Sequence, residues 1–125
     1  MDKKTRILVF GTFDFLHKGH LDLFKQARGL AKNPYLIVSI ARDKNVTRIK
    51  GRPPHFNENK RLAVVKKSGL ADRVVLGAIK SYLNKIVQLN PHIIALGYDQ
   101  TAYTKGLTKA LLEKGLKVKI VKLKP

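Results

Sequence analysis

Two imidazoles, His17 and His20, stand three residues apart in the run Gly11-Thr12-Phe13-Asp14-Phe15-Leu16-His17-Lys18-Gly19-His20. Side chains of this type donate hydrogen bonds to phosphate oxygens and stabilise charge that builds there in a transition state. The run follows a short β-rich stretch and opens a helical pattern. A helix start gathers unpaired N–H groups and a partial positive charge, the surroundings a phosphate prefers. Thr12 and the main chain beside it can complete such a cradle, and Gly19 lets the backbone approach a ligand with no Cβ in the way. A capping or solvated histidine accounts for one ring and leaves the rest of the run unexplained. Zinc fits poorly, because His-x-x-His supplies two ligands, Cys is absent and carboxylates are few. No metal is assigned to the two rings. The three-glycine dinucleotide fingerprint is absent as well.

Two other segments carry candidate chemistry. Lys44 and Lys50 lie in a basic stretch with Arg42, Arg48 and Arg52. Flexible cations there can hold a triphosphate or the phosphate of an acceptor, and composition alone reads equally as an exposed basic loop. Further on, Gly97-Tyr98-Asp99-Gln100 follows an apolar run. Gly97 permits a tight turn, Asp99 can accept from ribose hydroxyls or a base amine, and Gln100 offers donor and acceptor; a simple Asx turn is the plain alternative.

The elements that must position these residues are legible from periodicity. Short apolar runs at residues 6–10, 35–40, 74–76, 92–96 and 116–123 read as strands. Helical spacing appears over 21–31, from an Asn57 cap to Gly69, over 82–89 and over 107–114. Residues 42–56, with Gly51 and Pro53-Pro54, read as a long polar loop. Five strands alternating with four helices predict an α/β domain over residues 1–125, a parallel sheet with helices on both faces. Ligands of such sheets bind outside the carboxyl ends of the strands, where the three unusual segments fall.

Composition narrows the partners. A chain of 125 residues with 44% apolar content suits one globular domain. No apolar run approaches the roughly 18 residues of a membrane span, and the N-terminal stretch does not read as a signal peptide, so a soluble cytoplasmic protein with no membrane partner is expected. The 26 Lys and Arg against 8 Asp and Glu leave a net charge of +18, which draws anions. Lys114, Lys117, Lys119, Lys122 and Lys124 alternate with apolar residues, the pattern of a strand with a solvated face rather than of a nucleic-acid patch. Aromatics make up 7% and no groove-reading helix is evident, so nucleic acid is not the expected partner.

Gly11-Thr12-Phe13-Asp14 with His17-Lys18-Gly19-His20 resembles the signature of the cytidylyltransferase-like nucleotidyltransferases, whose shared motif is His-x-Gly-His. The resemblance covers nearly the whole chain and implies a Rossmann-like fold. Residues 41–52 and the Gly97-x-Asp99-Gln100 segment are more similar to archaeal FAD synthases than to the CTP-dependent members. What this implies is transfer of a nucleoside monophosphate from an NTP to a phosphate acceptor with release of pyrophosphate, ATP and FMN being the leading pair and Mg²⁺ entering with the NTP. Transfer of CMP from CTP to glycerol phosphate is the alternative within the class, and a non-catalytic nucleotide or nucleic-acid module the alternative outside it. On this reading His17 and His20 contact α- and β-phosphate oxygens, and Lys44 and Lys50 touch acceptor or triphosphate. Gly11, Thr12, Phe13, Gly19, Gly97, Asp99 and Gln100 surround the nucleotide, with Asp14 organising the loop and, beside Lys60 and Arg61, a candidate phosphate contact. Either Lys60 or Arg61 fills the family's basic position at the next helix. Homodimers are expected by analogy. The family pattern continues into a Ser/Thr-rich turn and a further helix that this sequence does not display, which leaves open a shortened chain, a minimal member using nearby lysines, or a weakened catalyst.

Overall fold

The computed structural model describes residues 3–97, 100 and 106–125. The elements run β1 (Thr5–Gly11), α1 (Lys18–Arg28), β2 (Pro34–Ile40), α2 (Asp43–Lys50), α3 (Glu58–Lys67), β3 (Arg73–Leu76), α4 (Tyr82–Leu89), β4 (Ile93–Leu96), α5 (Leu107–Glu113) and β5 (Lys119–Lys122). The strands form one parallel sheet in the order β3-β2-β1-β4-β5.

The central strand shows why the sheet must be covered on both sides. Ile7, Leu8 and Val9 are all but completely buried. Successive strand residues point to opposite faces, and these three divide accordingly. Ile7 and Val9 join Phe24 and Ala27 of α1 and Val65 of α3 in one core, whereas Leu8 joins Ile86 of α4 and Leu111 of α5 in the other. Burying each such side chain contributes about 1.5–3 kcal/mol. At the β5 edge Lys119 and Lys122 are exposed, which discourages another strand from pairing there.

The structure corrects the sequence reading in one place. Residues 42–56 were expected to be loop, and the first half is helix α2, giving five helices among the described residues. Val46 is its only buried residue, so no apolar stripe announces it. Arg42 provides no side-chain cap; instead Glu58, fifteen positions later, accepts the Asp43 N–H through Oε1 at 2.9 Å. Gly51, at φ 78°, closes the helix in the left-handed conformation. The Asn57 cap holds as expected, its Oδ1 accepting the Lys60 N–H at 2.9 Å. Helix α1 begins three residues before the expected start, because His17 caps it.

Strands β2 and β3 lie on one side of β1, and β4 and β5 on the other. The chain therefore leaves the carboxyl ends of β1 and β2 in directions opposed to that taken after β4, which opens a crevice at the top of the central strands.

Candidate active site

The imidazole pair is built by the helix start itself. His17 is the extended N-cap of α1, and its Nδ1 accepts the Gly19 N–H at 3.1 Å. The His17 N–H in turn donates to His20 Nδ1 at 3.4 Å. This is a capping box in which two imidazoles replace the usual hydroxyl and carboxamide. A ring nitrogen that accepts carries no proton, so each neutral ring holds its proton on Nε2, the nitrogen farther from the main chain. The cap thus leaves Nε2 as the donor nitrogen of both rings. Their rings stack with centroids 3.9 Å apart and planes 18° from parallel. Phe13 sets its ring against His20 at 5.1 Å, edge on, and is backed by Phe24 at 5.3 Å.

Phe13 is 5% exposed and sits at φ 51°, a left-handed conformation that costs a non-glycine residue about 1–3 kcal/mol. Its ring lies directly over Gly11, where an added Cβ would come within 2.5 Å of the ring. At Gly19 an added Cβ would meet the His17 ring at 2.9 Å. Both glycines therefore make room for an aromatic ring of this chain. That is a different reason from the ligand approach expected of Gly19.

Asp14 organises the loop, as expected. Its two oxygens accept the N–H groups of His55 and Phe56 at 2.6 and 2.8 Å, tying the segment after α2 to the β1–α1 loop. Desolvation pulls the Asp14 carboxyl upward, but the two N–H donors and the charge of Arg61 outweigh it and hold it below the ordinary aspartate value of 3.8. A carboxylate favoured in the folded state lends stability that is complete above its unfolded value and is lost as pH falls through the lowered one. In an acid titration followed by NMR, the His55 and Phe56 amide protons should therefore shift together with a midpoint below 3.8, and Asp14→Asn should abolish that shared step. Independent titration of the two amides would count against the clasp.

Arg61 and Lys60 part company. Lys60 is exposed and lines neither cavity of the crevice. Arg61 is 1% exposed and spends its guanidinium on the protein. Nε donates to the Phe56 carbonyl at 2.9 Å, one terminal nitrogen to the Thr12 carbonyl at 2.8 Å, and the other to Asp43 Oδ1 at 2.6 Å. It is an interior brace between the β1–α1 loop and α2. Lys44 is exposed and lines neither cavity, whereas Lys50, in the last turn of α2, lines both. Gln100 also lines both, but its amide is already engaged, accepting the Gly97 N–H at 2.8 Å and donating to the Phe10 carbonyl at 2.9 Å. It ties the loop after β4 to the end of β1. Asp99 lies outside the described residues.

Two compartments result. The first, about 830 Å³, holds His17, His20, Thr12, Gly97, Lys50 and Gln100 among its walls. The second, about 670 Å³, opens between α2 and the segment running into α4. Its apolar walls are Val46, Ile49, Ile79, Tyr82, Ile86 and Leu89, with Arg42, Arg48, Lys50, Lys80 and Lys85 as cations. Phe10, Gly11, Thr12, Lys50 and Gln100 belong to both compartments. The sequence reading missed this apolar side; the one local hint was Ile49, an isolated apolar residue 68% exposed in a basic stretch.

A central parallel strand that empties into an imidazole-capped helix start, with a cation at the junction of two compartments, defines a nucleotidyltransferase domain of the α/β class. Residues 8–125 match the family described as Cytidylyltransferase-like, and the chain belongs to that family. It is similar to the FAD synthase of Korarchaeum cryptofilum, with 43% identity over 119 residues, 94% of this chain and 80% of that protein. The FAD synthase of Methanosarcina barkeri is 41% identical over 120 residues, covering 95% and 83%. Among solved structures, the lipopolysaccharide core biosynthesis protein from Thermoplasma volcanium GSS1 matches with a TM-score of 0.87 at 35% identity, covering 96% of each chain.

Proposed function

We propose that the chain is an FMN adenylyltransferase, joining AMP from ATP to FMN to give FAD and pyrophosphate. The observation that carries this reading is the pairing of compartments: a polyphosphate-suited cleft shares Thr12 and Lys50 with an apolar chamber of about 670 Å³ edged by cations. A flat tricyclic ring with a phosphate tail matches apolar walls with cations at their edge, and a small polar acceptor such as glycerol phosphate leaves those walls unused. The similarity to two archaeal FAD synthases supports the same choice.

The chemistry asks for little beyond positioning and neutralisation. An oxygen of the acceptor phosphate attacks the α-phosphorus in line. A new P–O bond forms as the bond from the α-phosphorus to the bridging oxygen breaks, and pyrophosphate leaves with that electron pair. His17 and His20 donate through Nε2 to oxygens of the α- and β-phosphates as charge accumulates on them. Lys50, common to both compartments, neutralises the approach of two anions. Gly11, Thr12, Phe13, Gly19, Gly97 and Gln100 shape the nucleotide side, and Asp14 and Arg61 hold the loop. Mg²⁺ enters as part of the nucleotide substrate, whose phosphate oxygens and water supply its ligands.

The test is a matrix of nucleotides and acceptors with Mg²⁺, read as pyrophosphate release and by chromatography of products. ATP with FMN is expected to yield FAD, while CTP with glycerol phosphate yields no CDP-glycerol. Product from the second pair alone would replace this reading. Salt-sensitive DNA or RNA binding without pyrophosphate from any pair would overturn the enzyme altogether.

A further inference from the structure

The carboxamide of Gln26, on the third turn of α1, reaches across 98 positions of sequence to the segment after β5. Its Nε2 donates to the Lys124 carbonyl at 3.0 Å, and its Oε1 accepts the Lys124 N–H at 2.9 Å. The same Nε2 group donates to Asp22 Oδ2 at 2.8 Å, one turn back along the helix. Asp22 therefore sets the orientation of the amide, and the amide imitates a strand partner for one residue, satisfying both main-chain groups of Lys124. Lys124 and Asp22 both line the cleft that contains His17, His20 and Lys50. A cation tied by its main chain to the imidazole-bearing helix is well placed for an anionic ligand, since little of its backbone freedom remains to be lost on binding.

We infer that Lys124 is a polyphosphate-binding residue and that Gln26 is the positioning residue that docks it beside the imidazole pair. The inference rests on the proposed reading of the cleft as the seat of the triphosphate. Lys124 acts on the phosphates distal to the reacting centre, so it governs nucleotide affinity more than the chemical step. Gln26 acts through Lys124 and touches no ligand itself.

Calorimetric titration of the full chain with inorganic tripolyphosphate, with ATP and with adenosine tests this. Lys124→Met keeps the main-chain clasp and removes the charge. Gln26→Met keeps the helix and removes the clasp. Each is expected to weaken tripolyphosphate and ATP about tenfold, the lower end for a charge-assisted contact, and to leave adenosine unchanged. Lys124→Arg should restore binding, and the double variant should lose little more than either single one, because both act on one contact. A merely structural role for Gln26 would lower thermal stability and affect adenosine and ATP alike. His20→Ala serves as the reference. If it weakens tripolyphosphate while Lys124→Met does not, the inference is overturned and the cleft reading stands. If neither variant changes tripolyphosphate affinity, both are overturned.

Discussion

Replacing His20 with alanine is expected to cut turnover about 10²- to 10³-fold, the usual consequence of removing one preorganised donor from a charge-building centre. The size of the loss follows from the direction in which the ring donates. His20 Nδ1 accepts the His17 N–H, so its proton lies on Nε2, and the edge-on Phe13 ring keeps that orientation. His17 allows a cleaner experiment, because it has two separable tasks. As N-cap it accepts the Gly19 N–H, and as an imidazole it presents Nε2–H. Asparagine is among the best N-cap residues and has no group that reaches as far. His17→Asn should therefore keep the melting temperature close to the parent value while losing turnover on the same scale as His20→Ala. Nucleotide affinity should fall less than kcat, since the donors matter most where charge is greatest. Steady-state pyrophosphate release read beside thermal melts separates the two tasks. Full activity in His17→Asn would remove the imidazole from the mechanism.

The second large effect belongs to Arg61, and it is one of stability. Replacement by methionine of similar length leaves the Thr12 and Phe56 carbonyls and the Asp43 carboxylate without their shared donor. Breaking a buried pair by deleting one partner costs about 3–5 kcal/mol. The Asp43 side chain is 37% exposed and can recover some hydration, so the lower end is expected, about 3 kcal/mol. At this chain length that corresponds to a drop of roughly 10 °C in melting temperature. Lys60→Met, at an exposed neighbouring position, should change stability by less than about 0.5 kcal/mol. Urea unfolding of the two variants decides the matter. A phosphate-binding arginine would behave in the opposite way, with affinity lost and stability kept. Arg61→Lys should rescue little, since an ammonium is a point charge and cannot hold three acceptors set out for a planar fork.

The contrast between these two sites marks how far the sequence could be read. The imidazole pair, its glycines and its place after the first strand are local features, and ten consecutive residues carry them. Lys50 was recoverable as a cation on the right segment. Lys44 was indistinguishable from it: both are exposed, and which of them lines the cavities depends on a helix that the residues do not announce. Helix α2 is capped by Glu58 and braced by Arg61, both beyond its own end, and only Val46 is buried. Gln100 was expected beside the nucleotide as donor and acceptor; its amide is engaged with Gly97 and with Phe10, ninety positions away.

The strands, four of the five helices described, the Asn57 cap, the parallel sheet and the phosphate-suited helix start were determined by the residues in order. Propensity, periodicity and capping act within a turn or two of chain. The tertiary structure alone decided that Arg61 serves inside the protein, that Val46 and Ile49 meet Tyr82 and Ile86 across an apolar chamber, and that Lys124 reaches the imidazole cleft. Those outcomes depend on which distant groups the sheet order brings together, and side-chain burial, pairing and exposure are settled only once that packing exists.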